Sequence, residues 1–137
     1  MKKRVGLVFC IVMIFALFGC IEKWMPLETK TLSEFYEGNL EEVNKVVIAD
    51  GTTGGKKTLN DSKQIKDFLD KIKDIKFIPE ENQEDVKGWR YSVALYVDDE
   101  ETFKFLPSQV NGNYYYTEPE MIPIIDDLYN SLVMQEE

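Results

Sequence analysis

The apolar residues of this chain change period several times, and each period predicts a different element. Val5 to Phe18 is an unbroken run of 14 residues without a charged or strongly polar side chain. From 21 to about 41 no period survives. Pro26, Thr29, Thr31, Ser33, Gly38 and Asn39 interrupt scattered Trp24, Leu27, Leu32, Phe35 and Tyr36, of which the last three can dock as a short helical turn. Val43 to Ala49 contains the β-branched run Val46-Val47-Ile48, which predicts a strand buried on both faces. Asp50 to Gly55 is a turn cluster, and Lys56 to Leu59 returns as a short antiparallel strand. Asp61 then opens a helix, with Gln64 in the capping-box position. Ile65, Phe68, Leu69, Ile72 and Ile75 follow at helical spacing, with lysines and aspartates on the other face.

The second half returns to strands. Lys76 to Ile78 reads as a brief strand stopped by Pro79, and Glu80 to Gly88 as an acidic loop. From Trp89 the period is two. Trp89, Tyr91, Val93, Leu95 and Val97 share one face; Arg90, Ser92, Ala94 and Tyr96 share the other. Asp98 to Glu101 is a charged turn, and Thr102 to Leu106 continues with Phe103 and Phe105 on one side. Asn111-Gly112 is a two-residue hairpin signal joining the Val110 segment to Tyr114-Tyr115-Tyr116, and Pro107 marks a break or an edge. The last helix begins near Thr117 with Glu120 in a second capping box, or later with Pro123 in its first turn. Ile122, Ile125, Leu128, Tyr129 and Leu132 supply its apolar stripe. The predicted fold class is α+β: a mainly antiparallel sheet with two amphipathic helices packed on one face, in a single domain spanning 42–137.

Charge changes the picture most at the start of the chain. Lys2, Lys3 and Arg4 precede the apolar run. A 14-residue helix rises only about 21 Å, short of the ~30 Å hydrocarbon layer that a spanning helix must match. A basic head with a short apolar body is the layout of a secretory signal peptide. Leu17-Phe18-Gly19-Cys20 follows and resembles the bacterial lipobox. That resemblance covers residues 1–20. It implies a diacylglycerol on the sulfur of Cys20, cleavage between Gly19 and Cys20, and a lipid-anchored domain on the extracytoplasmic face of the cell membrane. An uncleaved anchor helix is the plainer alternative and places the domain on the same side. Each buried CH₂ contributes about 0.8 kcal/mol, and one acyl chain gives only marginal attachment, so two chains on one sulfur make the anchor durable. On this reading Cys20 serves anchorage, not catalysis, and residues 20–41 form the lipidated N-terminus and tether.

Loss of residues 1–19 leaves 118 residues with 13 basic and 25 acidic side chains, a formal charge of −12. Cys10 goes with the signal and Cys20 goes to lipid, so packing alone holds the domain, without a disulfide. The acidic surface is repelled by anionic headgroups and argues against nucleic acid as a partner. Lysine outnumbers arginine 14 to 2, a compositional hint of a low-GC Gram-positive proteome. Arg90 is the one arginine beyond the signal, so an arginine clamp cannot be built. The element order over about residues 42–133 resembles small uncharacterised domains in exported lipoproteins of bacilli, a resemblance that implies no activity.

Candidate chemistry is sparse. The chain has no histidine, which excludes Ser-His-Asp and Cys-His catalysis and imidazole metal ligands. Asp50 to Thr58 imitates a phosphate loop, but Asp50 stands where the first glycine is required and Lys57 where Ser or Thr is required. Ser62 lacks a lysine three residues on, since Ile65 stands there. Glu80, Glu81, Glu84 and Asp85, or Asp98 to Glu101, offer oxygen ligands without the spacing that turns them inward around calcium. No cofactor is expected. Tyr114, Tyr115 and Tyr116, with Trp89, form the candidate recognition surface, because tyrosine and tryptophan pair a flat apolar face with a polar handle. The leading expectation is a non-catalytic binding or interaction module, with membrane lipid as one partner and an envelope protein or small ligand as the other. Its rivals are capture of a cation or cell-wall sugar, and a carboxylate-based envelope hydrolase.

Overall fold

The computed structural model describes residues 26–84 and 88–132. Gly19, Cys20 and the segment before them lie outside the described residues, as does Asp85 of the acidic loop. The elements are β1 (Lys30–Thr31), α1 (Leu32–Phe35), a 3₁₀ turn (Leu40–Glu42), β2 (Lys45–Asp50), β3 (Lys56–Leu59), α2 (Ser62–Ile72), β4 (Lys76–Pro79), β5 (Tyr91–Val97), β6 (Glu100–Phe105), β7 (Gln109–Val110), β8 (Asn113–Glu118) and α3 (Ile122–Ser131).

The architecture is α+β and mostly β, with every strand pairing antiparallel. Two four-stranded sheets replace the single sheet expected, ordered β1-β4-β8-β7 and β3-β2-β5-β6. Pro107 sits at the crossing between them. Leu106 and Gln109 exchange backbone hydrogen bonds of 2.9 and 3.1 Å around Pro107-Ser108, turning the chain from β6 into β7. Proline fits there because a turn position needs no ladder donor.

Local signals explain most element ends. Asp61 caps α2 by accepting from the Gln64 amide at 2.9 Å. Of the two starts open to the last helix, the later one is observed: Pro123 lies in the first turn of α3. The Thr117 hydroxyl belongs to β8 and accepts from the Met121 amide at 3.0 Å. Asn111 and Gly112 adopt φ of 51° and 82°, the mirror-image turn that matches strand twist. Asp98 and Asp99 make the same kind of turn with φ of 50° and 67°, and β6 resumes at Glu100. A reciprocal pair of hydrogen bonds with Asn44, at 3.0 and 3.1 Å, holds Asp98 there.

One contiguous core joins all layers. Ile65, Phe68, Leu69 and Ile72 of α2, with Ile125 and Tyr129 of α3, meet Val46, Ile48, Tyr91, Val93, Leu95 and Phe105 of the second sheet. Phe77 and Tyr115 bring the first sheet into the same cluster. The packed chain reaches back to residues 30–36, inside the stretch read as tether. Thr31 caps α1 through a complete capping box with Glu34, and Leu32 and Tyr36 are buried. In α3, Ile122 of the expected stripe is exposed and Met121 is fully buried instead.

Two burial patterns depart from expectation. Val46 and Ile48 are buried but Val47 is only partly so, because among the described residues no helix packs on the outer face of the second sheet. β2 is therefore buried on one face, not both. In β5 the reverse holds. Tyr91, Val93 and Leu95 point into the core, yet Ser92 and Ala94 on the outer face are also buried. They are small residues on a central strand: Ala94 lies between Val47 of β2 and Lys104 of β6, and Ser92 lies beside Ala49 of β2.

Candidate functional site

The residues singled out for recognition do not form one surface. Tyr115 points inward at 5% exposure and packs edge-on against Phe77 and Phe35, with ring centroids 6.2 and 5.6 Å away. Burial pushes its phenol pKa up. It is a core residue, which corrects its place in the recognition surface. Tyr116 points the other way, is 48% exposed and lies opposite Ile78 of β4. Tyr114 is half-buried, and its backbone is held on both sides by Gln83, through bonds of 2.8 and 2.9 Å. The same Gln83 ties the acidic loop to β8.

Trp89 belongs to the other sheet. It precedes β5 instead of continuing its core face, and it is 43% exposed. Gly51 is what lets it approach. A Cβ at Gly51 would stand 2.1 Å from the Trp89 carbonyl oxygen and under 3 Å from the indole. The indole therefore rests on the turn that joins β2 to β3.

Trp89 is one wall of a groove of about 600 Å³ across the outer face of β3-β2-β5-β6. Lys56, Ser92, Lys104, Gln109 and Asn111 also line it. Strand register explains the gathering. Ala49 pairs with both Lys56 and Ser92, and Ala94 pairs with Lys104, so lysines flank a floor of small side chains. Sequence reasoning named Trp89 but missed the other residues. The signal available was the alternation in β5, which puts Ser92 and Ala94 on the face opposite Tyr91 and Val93. What covers that face depends on register with β3 and β6.

A second polar constellation lies under the groove's Trp89 end. Arg90 Nη1 donates to Asp50 Oδ1 and Thr52 Oγ1, each at 3.0 Å, and Nη2 donates to Asp126 Oδ1 at 3.3 Å. The Tyr91 hydroxyl donates to the same Asp126 oxygen, while the guanidinium lies 4.6 Å from the Tyr91 ring centre. The Thr52 amide donating to its carboxylate, reinforced by Arg90, holds Asp50 below the usual carboxylate range against the opposing effect of burial. Burial foremost, then the bond to Asp126, pushes the Tyr91 phenol up to about 12. Nearby, the buried Lys57 donates to the Tyr129 carbonyl at 2.8 Å and lies 4.2 Å over its ring. The last turn of α3 has no basic residue of its own, so Lys57 supplies the cation its carbonyl end favours. These groups satisfy one another. They tie turn, strand and helix together, and the two carboxylates share one arginine in place of facing each other as an acid–base pair.

Among the described residues no group of three or more Asp, Glu, His or Cys side chains is placed to hold an ion. Glu37, Glu42, Asp98 and Glu100 border an open cleft beside Tyr36 and Phe103. Among the described residues no helix is long and apolar enough to cross a membrane. Comparison of the chain with protein-family models, with curated proteins and with solved structures finds no match to any of them.

Proposed function

We propose that this protein is a lipid-anchored extracytoplasmic binding module without catalytic activity. The observation that carries the reading is the ordered N-terminal sequence: Lys2-Lys3-Arg4, an apolar run too short to span, then Leu17-Phe18-Gly19-Cys20. A diacylglycerol on Cys20 holds the domain at the membrane, and a charge of −12 after processing keeps it off anionic headgroups. Absence of histidine and the mutual satisfaction of Asp50, Arg90, Tyr91 and Asp126 leave binding as the better use of the exposed surface. The groove beside Trp89 offers the concavity for it.

Cloud-point detergent partition of the native protein tests the anchor. The unaltered chain is expected in the detergent phase, and protease added to intact cells without their wall should digest the domain. Cys20→Ala should move it to the aqueous phase. Equal partition of both proteins, or protection of the domain until cells are lysed, would overturn the reading.

A further inference from the structure

We propose that the groove across the outer face of β3-β2-β5-β6 binds an acidic saccharide chain, with a sugar ring on Trp89 and its acid groups on Lys56 and Lys104. This deepens the reading of the domain as a binding module and does not depend on the anchor. The first observation is electrostatic. Among the described residues, neither Lys56 nor Lys104 has a carboxylate within ion-pair distance, although the processed chain carries about twice as many acids as bases. Three described lysines pair with carboxylates, Lys45 with Asp99 at 3.2 Å and Lys66 and Lys73 with Asp70 at 3.4 Å, whereas Lys56 and Lys104, like Lys30, Lys63, Lys71 and Lys76, do not. What distinguishes Lys56 and Lys104 is that they line one groove together with Trp89, where two unneutralised ammonium groups can meet an anionic ligand.

The second observation is Ser92. Its side chain is on the groove floor at 5% residue exposure, and among the described residues it has no hydrogen-bond partner. No fully enclosed polar side-chain atom there lacks a partner, so the Ser92 hydroxyl opens into the groove. It is both donor and acceptor, and Gln109 and Asn111 line the same groove. A hydroxyl, two amide side chains and an indole suit a ring bearing several hydroxyls. An exposed aromatic face takes the apolar side of such a ring.

Lys56 and Lys104 sit on the two edge strands, three strand intervals apart and offset by two residues, which places their backbones roughly 16 Å from each other. A chain of a few sugars with repeated acid groups can lie across the floor and meet both. The acid can be a uronic carboxylate or a bridging phosphodiester, since either satisfies an ammonium.

The test is fluorescence titration of the full-length protein in detergent micelles, in a Trp24→Phe background that leaves Trp89 as its one indole. The probes are an oligogalacturonate, a sugar phosphodiester oligomer, a neutral glucose hexaose and polyglutamate. A saturable change in Trp89 emission is expected with one or both acidic saccharides, and which one responds identifies the acid. Trp89→Ala, read by calorimetry, and the double variant Lys56→Gln/Lys104→Gln should each weaken that binding about tenfold or more. All three side chains are exposed, so circular dichroism should show an unchanged fold. Raising the salt concentration should weaken the unaltered protein but have little effect on the double variant. Cys20→Ala should leave the affinity unchanged, which separates this result from failure of the anchor. No response to either acidic saccharide, or an equal response to the neutral hexaose, would overturn the proposal. An equal response to polyglutamate would also overturn it, while leaving a binding module that prefers acidic peptide.

Discussion

Arg90 links three segments that are far apart in sequence: the turn after β2 through Asp50 and Thr52, its own strand through the face of Tyr91, and α3 through Asp126. Asp50 is buried, so loss of the guanidinium leaves a carboxylate with less of its compensation. Arg90→Ala should cost about 2 kcal/mol, the scale of hydrogen bonds to a charged group, and chemical denaturation at neutral pH checks it. Tyr91 gives a prediction with a definite pH window. Its folded pKa is raised to about 12 from 10.0, so its contribution is complete below pH 10 and is lost as pH climbs through the folded value. The stability difference between the unaltered protein and Tyr91→Phe should therefore shrink between about pH 10 and 12. A difference that stays constant over that interval would count against the hydrogen-bonded, buried phenol.

At the scale of elements, boundaries set by neighbouring residues were legible and those set by distant ones were not. Asp61 and Gln64 mark the start of α2 because the cap is a contact across three residues. Asn111-Gly112 marks the β7–β8 turn because only a backbone tolerant of positive φ closes it. Asp61→Ala should thus destabilise the protein by about 1 kcal/mol, while Asp61→Asn should be nearly neutral; thermal melts of the two variants check this. β1 left no such mark. It is two residues long and exists through pairing of Lys30 with Phe77 and Thr31 with Lys76. The division into two sheets was also hidden, since strand order depends on pairings such as β4 with β8, nearly 40 residues apart. The candidate site divides the same way. Trp89 stands out as a residue, but Lys56, Ser92 and Lys104 join it only through register.

Across the whole molecule, the proposed binding groove on the second sheet and the proposed lipid anchor, which the lipobox resemblance assigns to Cys20, are separate features. The buried core of the described residues runs from Leu32 to Tyr129. Folding should therefore be separable from anchoring, and Cys20→Ala should melt at the same temperature as the unaltered protein in the same detergent. On the proposed reading, location rests on one covalent event at Cys20. The most direct measurement is the intact mass of the native protein extracted from membranes. The expected mass lacks residues 1–19 and carries a diacylglycerol on Cys20; a chain that retains Met1, or one that begins at Cys20 with an unmodified thiol, would contradict the anchored module.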